Sequence, residues 1–168
     1  MSKSVQRSGI LVRLATADEA SSIALVLHEA FIEYESLYTA EAFAITTPPI
    51  GQIEKRWSEG PVWVAIQEDR YVGTVAVVPK GDALYIRSMA VAPSARGQGI
   101  GKLLLEQVEI FARAGGFRRM FLSTTPFLYE AIRLYEHFGF ERTSAEPLEL
   151  AGTQLFTMEK ALNPNQGG

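Results

Sequence analysis

The chain has 168 residues, 47% of them hydrophobic and 21% charged, with a formal net charge of −3 and no cysteine. That length and balance suit one globular domain with a sizeable core, and the absent thiols exclude disulfides, cysteine nucleophiles and thiolate metal sites. The charge gives no global case for nucleic acid or an anionic membrane as partner.

In chain order, Met1 to Gly9 lacks the apolar core of a signal peptide, and no apolar run approaches the ~20 residues that span a bilayer. A cytoplasmic location is therefore the expectation, with residues 1–8 a flexible terminus. Ile10 to Leu14 reads as a strand, followed by Thr16 or Asp18 as a helix cap. From Ala17 to about Tyr38 the apolar residues Ala20, Ile23, Ala24, Leu27, Phe31 and Tyr34 recur at helical spacing, with a break expected near Ser36. A weaker helix is predicted from Pro48 to Glu59, stopped by Gly60-Pro61.

Val62 to Gln67 and Tyr71 to Val78 are β-branched and aromatic runs separated by Glu68-Asp69-Arg70, the pattern of a hairpin, and Ala83 to Ala92 adds a third antiparallel strand. The stripe Ile100, Leu103, Leu104, Val108 and Phe111 predicts a core-facing helix over 99–114, ended by Gly115-Gly116. Arg119 to Thr124 follows as a strand reached through a helix, hence parallel to the strand before the helix. Phe127 to Phe138 reads as a helix with Gly139 at its C′ position and Phe140 as the hydrophobic contact beyond. Two strands, 141–144 and 154–160, finish the domain, and 163–168 reads as a flexible tail. The order β-α-α-β-β-β-α-β-α-β-β predicts a single α+β domain over 9–162, with a mixed central sheet of about seven strands flanked by four helices.

The run Arg96-Gly97-Gln98-Gly99-Ile100-Gly101-Lys102 lies between strand and helix patterns. Glycines let a ligand approach the main chain, and the first helical turn offers unpaired N–H groups at the positive end of the dipole, flanked by Arg96 and Lys102. That combination suits a pyrophosphate. A Walker A loop fails because Arg96 and Leu103 stand where glycine and Ser or Thr are needed. A dinucleotide fingerprint fails because its last glycine would fall on Lys102 or Leu104. The bland alternative is a turn that merely joins strand to helix. His28 and His137 are distant from one another and lack partners at helical spacing, so no metal site is expected.

The R-x-x-G-x-G pattern of Arg96 to Gly101, the strand before it, the helix after it and the segment Glu130 to Phe140, with its Tyr135-x-x-x-Gly139-Phe140, together resemble the GNAT superfamily of acetyl-CoA-dependent N-acetyltransferases. The resemblance covers nearly the whole chain. It implies that acetyl-CoA lies where the two parallel strands splay, with the main chain of Met89, Ala90 and Val91 pairing with the pantetheine arm. The amide of Met89 or Val91 would polarise the thioester carbonyl. It further implies that the amides of Gly97, Gln98, Gly99, Ile100, Gly101 and Lys102 hold the pyrophosphate and that Thr124 and Ala131 line the other side. It makes Tyr135 the general acid that protonates the leaving thiolate. Periodicity alone favours a buried tyrosine on the stripe Leu128, Ala131, Tyr135 and Phe138, and the resemblance reverses that preference. Homodimers are common in the resembled family.

The general base is harder to assign. Many relatives carry a glutamate on the strand before the glycine run, and Tyr85-Ile86-Arg87-Ser88 has none. Glu29, Glu33, Glu35 and His28 in the first helix are candidates, as is a water chain through Ser88 or Ser123; the glutamates otherwise form a solvated helix face. For the acceptor, His28, Glu29, Glu33, Tyr34, Glu35, Tyr38 and Glu41 suggest an acidic, aromatic pocket for a cationic amine. Arg87 argues instead for an acceptor bearing a carboxylate or phosphate. The reading is direct acetyl transfer to a primary amine, small molecule or peptide. The alternative is a non-catalytic acyl-CoA-binding module.

Overall fold

A computed structural model describes residues 4–163, and residues 1–3 and 164–168, most of the expected C-terminal tail among them, lie outside it. The elements are β1 (Val5–Arg7), β2 (Ile10–Leu14), α1 (Ala20–Phe31), α2 (Ala40–Thr46), α3 (Ile50–Glu54), β3 (Val62–Gln67), β4 (Arg70–Lys80), β5 (Ala83–Val91), α4 (Ile100–Ala114), β6 (Arg119–Thr124), α5 (Tyr129–His137), β7 (Glu141–Arg142), β8 (Leu148–Leu150) and β9 (Thr153–Ala161). The strands lie in the order β1-β2-β3-β4-β5-β6-β9-β7, with β8 paired to β9. All neighbours are antiparallel except β5 and β6.

The α+β architecture with a mixed sheet matches the expectation, and the counts differ. Among the described residues nine strands replace the seven expected, because β1 and β8, three residues each, are too short to carry a periodicity. Val5–Arg7, expected within a flexible terminus, pair with Ile10–Val12 across a turn in which Ser8 and Gly9 both take positive φ. Five α-helices replace four. The first predicted helix ends at Phe31, passes through a 3₁₀ turn, Ile32–Leu37, and reaches extended backbone at Tyr38. Thr39 then caps α2 by accepting from the Ala42 amide at 3.1 Å, while its own hydroxyl donates to the Ala151 carbonyl at 2.7 Å. A tertiary tie to the β8–β9 turn thus decides where the chain breaks. The second predicted helix shortens to α3 plus a 3₁₀ turn, Lys55–Ser58.

Both faces of the sheet are covered. Along β3, Trp63 and Ala65 join the core under α4, with Ile100, Leu104 and Val108, while Val62 and Val64 join the core under α1, with Ile23 and Leu27. The strand is consequently apolar at consecutive positions, as a sheet sandwiched between helix layers requires. Glycine helps at one crossing: a Cβ on Gly73 would sit 3.1 Å from Ile100 and 3.2 Å from Leu104 of α4.

Two irregularities shape the centre of the sheet. The parallel ladder of β5 with β6 stops after Tyr85↔Phe121, so Ile86 to Val91 run on without a partner on that side. On its other side, β5 shifts register against β4 between Ala76↔Arg87 and Thr74↔Ala90, leaving Ser88 and Met89 opposite the single residue Val75. This bulge holds Ser88 at φ 53°, a left-handed conformation that non-glycine residues adopt only under local constraint. Beyond the end of the β5–β6 ladder the bulged part of β5 and the end of β6 line a gap between the two strands.

Candidate active site

That gap is the mouth of a cavity of about 560 Å³. Its walls come from β5 on one side, β6 and α5 on the other, the end of α1 with the segment after it, and the glycine run at one end.

The glycine run adopts the conformation its composition implies. Gly97 and Gly99 have φ of 81° and 79°, and a Cβ on either would meet nothing within 4 Å, so the main chain here faces open space. Gly99 is the N-cap of the fifteen-residue α4, whose first amides lack intrahelical partners. Gly101 has a different reason: a Cβ there would come within 2.6 Å of Leu134 on α5, so this glycine lets α4 and α5 close up. Arg96, Gly97, Gly99, Ile100, Gly101 and Lys102 line the cavity and Gln98 does not; its side chain accepts from Gln67 at 2.6 Å. Met89, Ala90, Val91, Thr124 and Ala131 also line it.

Arg96 is already engaged. It forms an ion pair with Glu33 at 2.5 Å and donates to the Ala30 carbonyl at 3.2 Å, tying the glycine run to the end of α1. The two residues were expected on opposite substrates; here Glu33 holds Arg96 and does not line the cavity.

Tyr135 is buried and faces the cavity from α5. Its position follows from the helix end. The Gly139 amide donates to the Glu136 carbonyl at 3.1 Å and the Phe140 amide to the Tyr135 carbonyl at 2.9 Å, with Gly139 at φ 106°. This is the Schellman arrangement, and its usual hydrophobic contact is the edge-on packing of Phe140 against the Tyr135 ring, 6.0 Å between centroids. Burial, and then the neighbouring Tyr38, hold the Tyr135 phenol well above its ordinary pKa. It is therefore protonated throughout the physiological range and able to donate. Tyr38, itself buried against Phe43 and Phe127, also lines the cavity and is raised mainly by burial.

The acceptor candidates separate cleanly. Tyr34, Tyr38 and Arg87 line the cavity, whereas Glu29, Glu35, Glu41 and His28 are exposed and outside its lining. Among the described residues Glu130 is the only carboxylate in the lining. The first-helix glutamates thus behave as a solvated face, and the expected acidic pocket is not formed by them. Ser88 and Ser123 do reach the cavity. Ser88 accepts a hydrogen bond from Arg56 at 2.6 Å, and Ser123 lies 3.4 Å from the Thr157 hydroxyl.

Arg56 is the residue the sequence did not reveal. It lies in the 3₁₀ turn after α3 and lines the cavity beside Arg87 and Ser88. Burial, and next the charge of Arg87, lower its pKa to about 10. Nothing local in Glu54-Lys55-Arg56-Trp57 distinguishes an inward arginine from a solvated one; only the packing of α3 under α1 turns it inward.

Comparison with known proteins agrees with this geometry. The model of the acetyltransferase (GNAT) family matches residues 26–140. An uncharacterized N-acetyltransferase of Escherichia coli, YjgM, is 32% identical over 137 residues, covering 78% of this chain and 81% of that protein. Human N-acetyltransferase 8B is 37% identical over 87 residues, 48% of this chain and 38% of its own length, so the chain spans well under half of that relative. Among solved structures, the PaiA N-acetyltransferase of Thermoplasma acidophilum in complex with coenzyme A superposes with a TM-score of 0.75 over 91% of this chain and 99% of its own, at 17% identity. A GNAT-family acetyltransferase of Staphylococcus aureus superposes with a TM-score of 0.76 over 92% and 99%, at 18% identity.

Proposed function

This chain belongs to the acetyltransferase (GNAT) family, and from that premise we propose that it transfers an acetyl group from acetyl-CoA to a primary amine by direct attack, with Tyr135 as general acid. The observation that carries the reading is the unpartnered edge of β5 from Ile86 to Val91 opening into the same cavity as the glycine run and Tyr135.

The residues fit the donor. Coenzyme A, as its thioester, supplies an acetyl group activated for attack. The amides of Gly97 to Lys102, with Arg96 and Lys102, suit its pyrophosphate, because the left-handed glycines keep the main chain open and α4 adds its dipole. The free edge of β5 suits the amide-bearing pantetheine arm, taken up as an added strand, and the Met89 or Val91 amide suits the thioester carbonyl. Tyr135 carries a proton that it does not lose at neutral pH. In the net reaction a C–N bond forms and the C–S bond breaks. The substrate ammonium gives up two protons: one ends on sulfur, passed through Tyr135, and the other leaves to solvent.

A non-catalytic acyl-CoA-binding module is the second reading, motivated by Glu130 being the sole carboxylate in the lining among the described residues. Incubation with acetyl-CoA and an amine panel, following free thiol, separates the two. The transferase reading expects amine-dependent thiol release, and Tyr135→Phe should lower kcat by about 10²-fold or more while leaving acetyl-CoA affinity within about twofold. Acetyl-CoA binding without thiol release for any amine would favour the module, and an unchanged kcat in the variant would remove Tyr135 from the chemistry.

A further inference from the structure

The cavity has two cationic ends, and the donor accounts for one. Arg96, Lys102 and the glycine run follow β5. Arg87 and Ser88 precede Met89 on that strand, and Arg56 reaches Ser88 from the turn after α3. Arg87 and Ser88 thus lie before the Met89–Val91 stretch and the glycine run lies after it, so Arg56 and Arg87 flank the thioester end and not the pyrophosphate end.

At that end positive charge is under-compensated. Arg87 pairs with Glu59 at 2.9 Å, through one terminal nitrogen, and its Nε is buried with no hydrogen-bond partner among the described residues. Arg56 gives one hydrogen bond, to a neutral hydroxyl, and forms no ion pair among the described residues. Two guanidinium groups therefore share a single, half-exposed carboxylate. Partial desolvation of a cation short of counter-charge is costly: burial first, and then the charge of Arg87, lower the pKa of Arg56. A bound anion relieves both. A planar guanidinium fork with most donors free matches a carboxylate in particular.

We propose that Arg56 and Arg87 form an anion clamp for the acceptor, so that the amine acetylated here carries a carboxylate a few bonds from its reactive nitrogen. The inference rests on the transferase reading and adds the class of its acceptor. It also decides between the two sequence clues: a polyamine would bring further positive charge to two guanidinium groups, while the glutamates expected to welcome it face solvent or hold Arg96. The same positive field favours the neutral form of the amine, easing proton loss in a cavity that offers little carboxylate base.

The test uses the whole chain with acetyl-CoA and the common α-amino acids, β-alanine and γ-aminobutyrate, each beside its own carboxamide, with simple alkylamines and polyamines alongside. The clamp expects the best acid to exceed its carboxamide in kcat/KM by about 10- to 100-fold, the range commanded by a hydrogen bond to a charged group. Arg56→Gln should collapse that ratio toward one, and Arg56→Lys should restore part of it. Carboxamides, alkylamines or polyamines used as well as the acids by the unmodified protein would overturn the clamp and leave the transferase reading standing. An acid-to-carboxamide ratio that survives Arg56→Gln and Arg87→Gln would likewise overturn it. No thiol release with any amine would bring down both.

Discussion

Two of the arginine-centred sites in this fold are built in opposite ways. In one, Arg13 of β2 grips Glu19 with two hydrogen bonds of 2.8 and 2.7 Å, the Thr16 amide donates to the same carboxylate at 2.8 Å, and the Tyr71 hydroxyl completes it. Charge is matched one to one, the carboxylate is buried, and the Arg13 hydrogen bond is the chief reason its pKa falls to about 2. The cavity is elsewhere. In the other, Arg56 and Arg87 share one exposed carboxylate beside a strained bulge and face the cavity. The first cluster spends its electrostatics on joining β2, β4 and the entry to α1. The second leaves them available to a ligand. Neutralisation within the protein marks structure; its deficit, in a cavity, marks recognition.

The contrast is most sharply broken by removing one charge from the balanced cluster. Glu19→Gln leaves Arg13 without its counter-charge and should cost about 2–3 kcal/mol, just below the ~3–5 kcal/mol of fully buried pairs because Arg13 is partly exposed. Chemical denaturation checks this. The same carboxylate sets an acid dependence. Its folded pKa of about 2 lies below the ordinary 4.5, so its stabilisation is complete above pH 4.5 and is lost as pH falls toward 2. The Glu19→Gln protein should lack that part of the acid slope, and an identical slope in both proteins would detach Glu19 from the pH response.

The corresponding change in the unbalanced cluster should behave the other way. Arg56→Met removes a charge that burial and Arg87 already disfavour, at the loss of one hydrogen bond to Ser88. Stability should stay within about 1 kcal/mol of the unmodified protein or rise, measured by the same denaturation. A loss as large as that of Glu19→Gln would make Arg56 a structural residue and erase the distinction between the clusters.

The two ends of the cavity also differ in how far the sequence reveals them. The glycine run is legible because backbone conformation restricts residue type: Gly97 and Gly99 sit at positive φ, and Gly101 gives way to Leu134. Tyr135 is legible for a related reason, since Gly139 and Phe140 announce the helix end that orients it. Strands β2, β3 and β6 match their predicted ranges because alternating or continuous apolar runs are a local signal. The acceptor end has no such signature. The break after Phe31 depends on Thr39 bonding to residues more than a hundred positions away. The inward turn of Arg56 depends on how α3 packs under α1. Glutamates at helical spacing suggest a cluster, but their exposure is decided by which face of α1 meets the sheet.

The smallest effect is the most direct probe of charge deficit, because it needs neither donor nor acceptor. An anion that binds folded protein raises its stability by RT ln(1 + [L]/Kd), which is about 0.4 kcal/mol when its concentration equals Kd. For a domain of this size that corresponds to a Tm rise of about 1–2 °C. Acetate, a bare carboxylate, should therefore raise the Tm of the unmodified protein above that in chloride at equal ionic strength, and the rise should shrink in Arg56→Gln. Glu19→Gln should retain an acetate response despite its lower starting Tm, because that change leaves Arg56 and Arg87 and the hydrogen bond to Ser88 in place. An acetate response undiminished in Arg56→Gln would remove the clamp as the anion site.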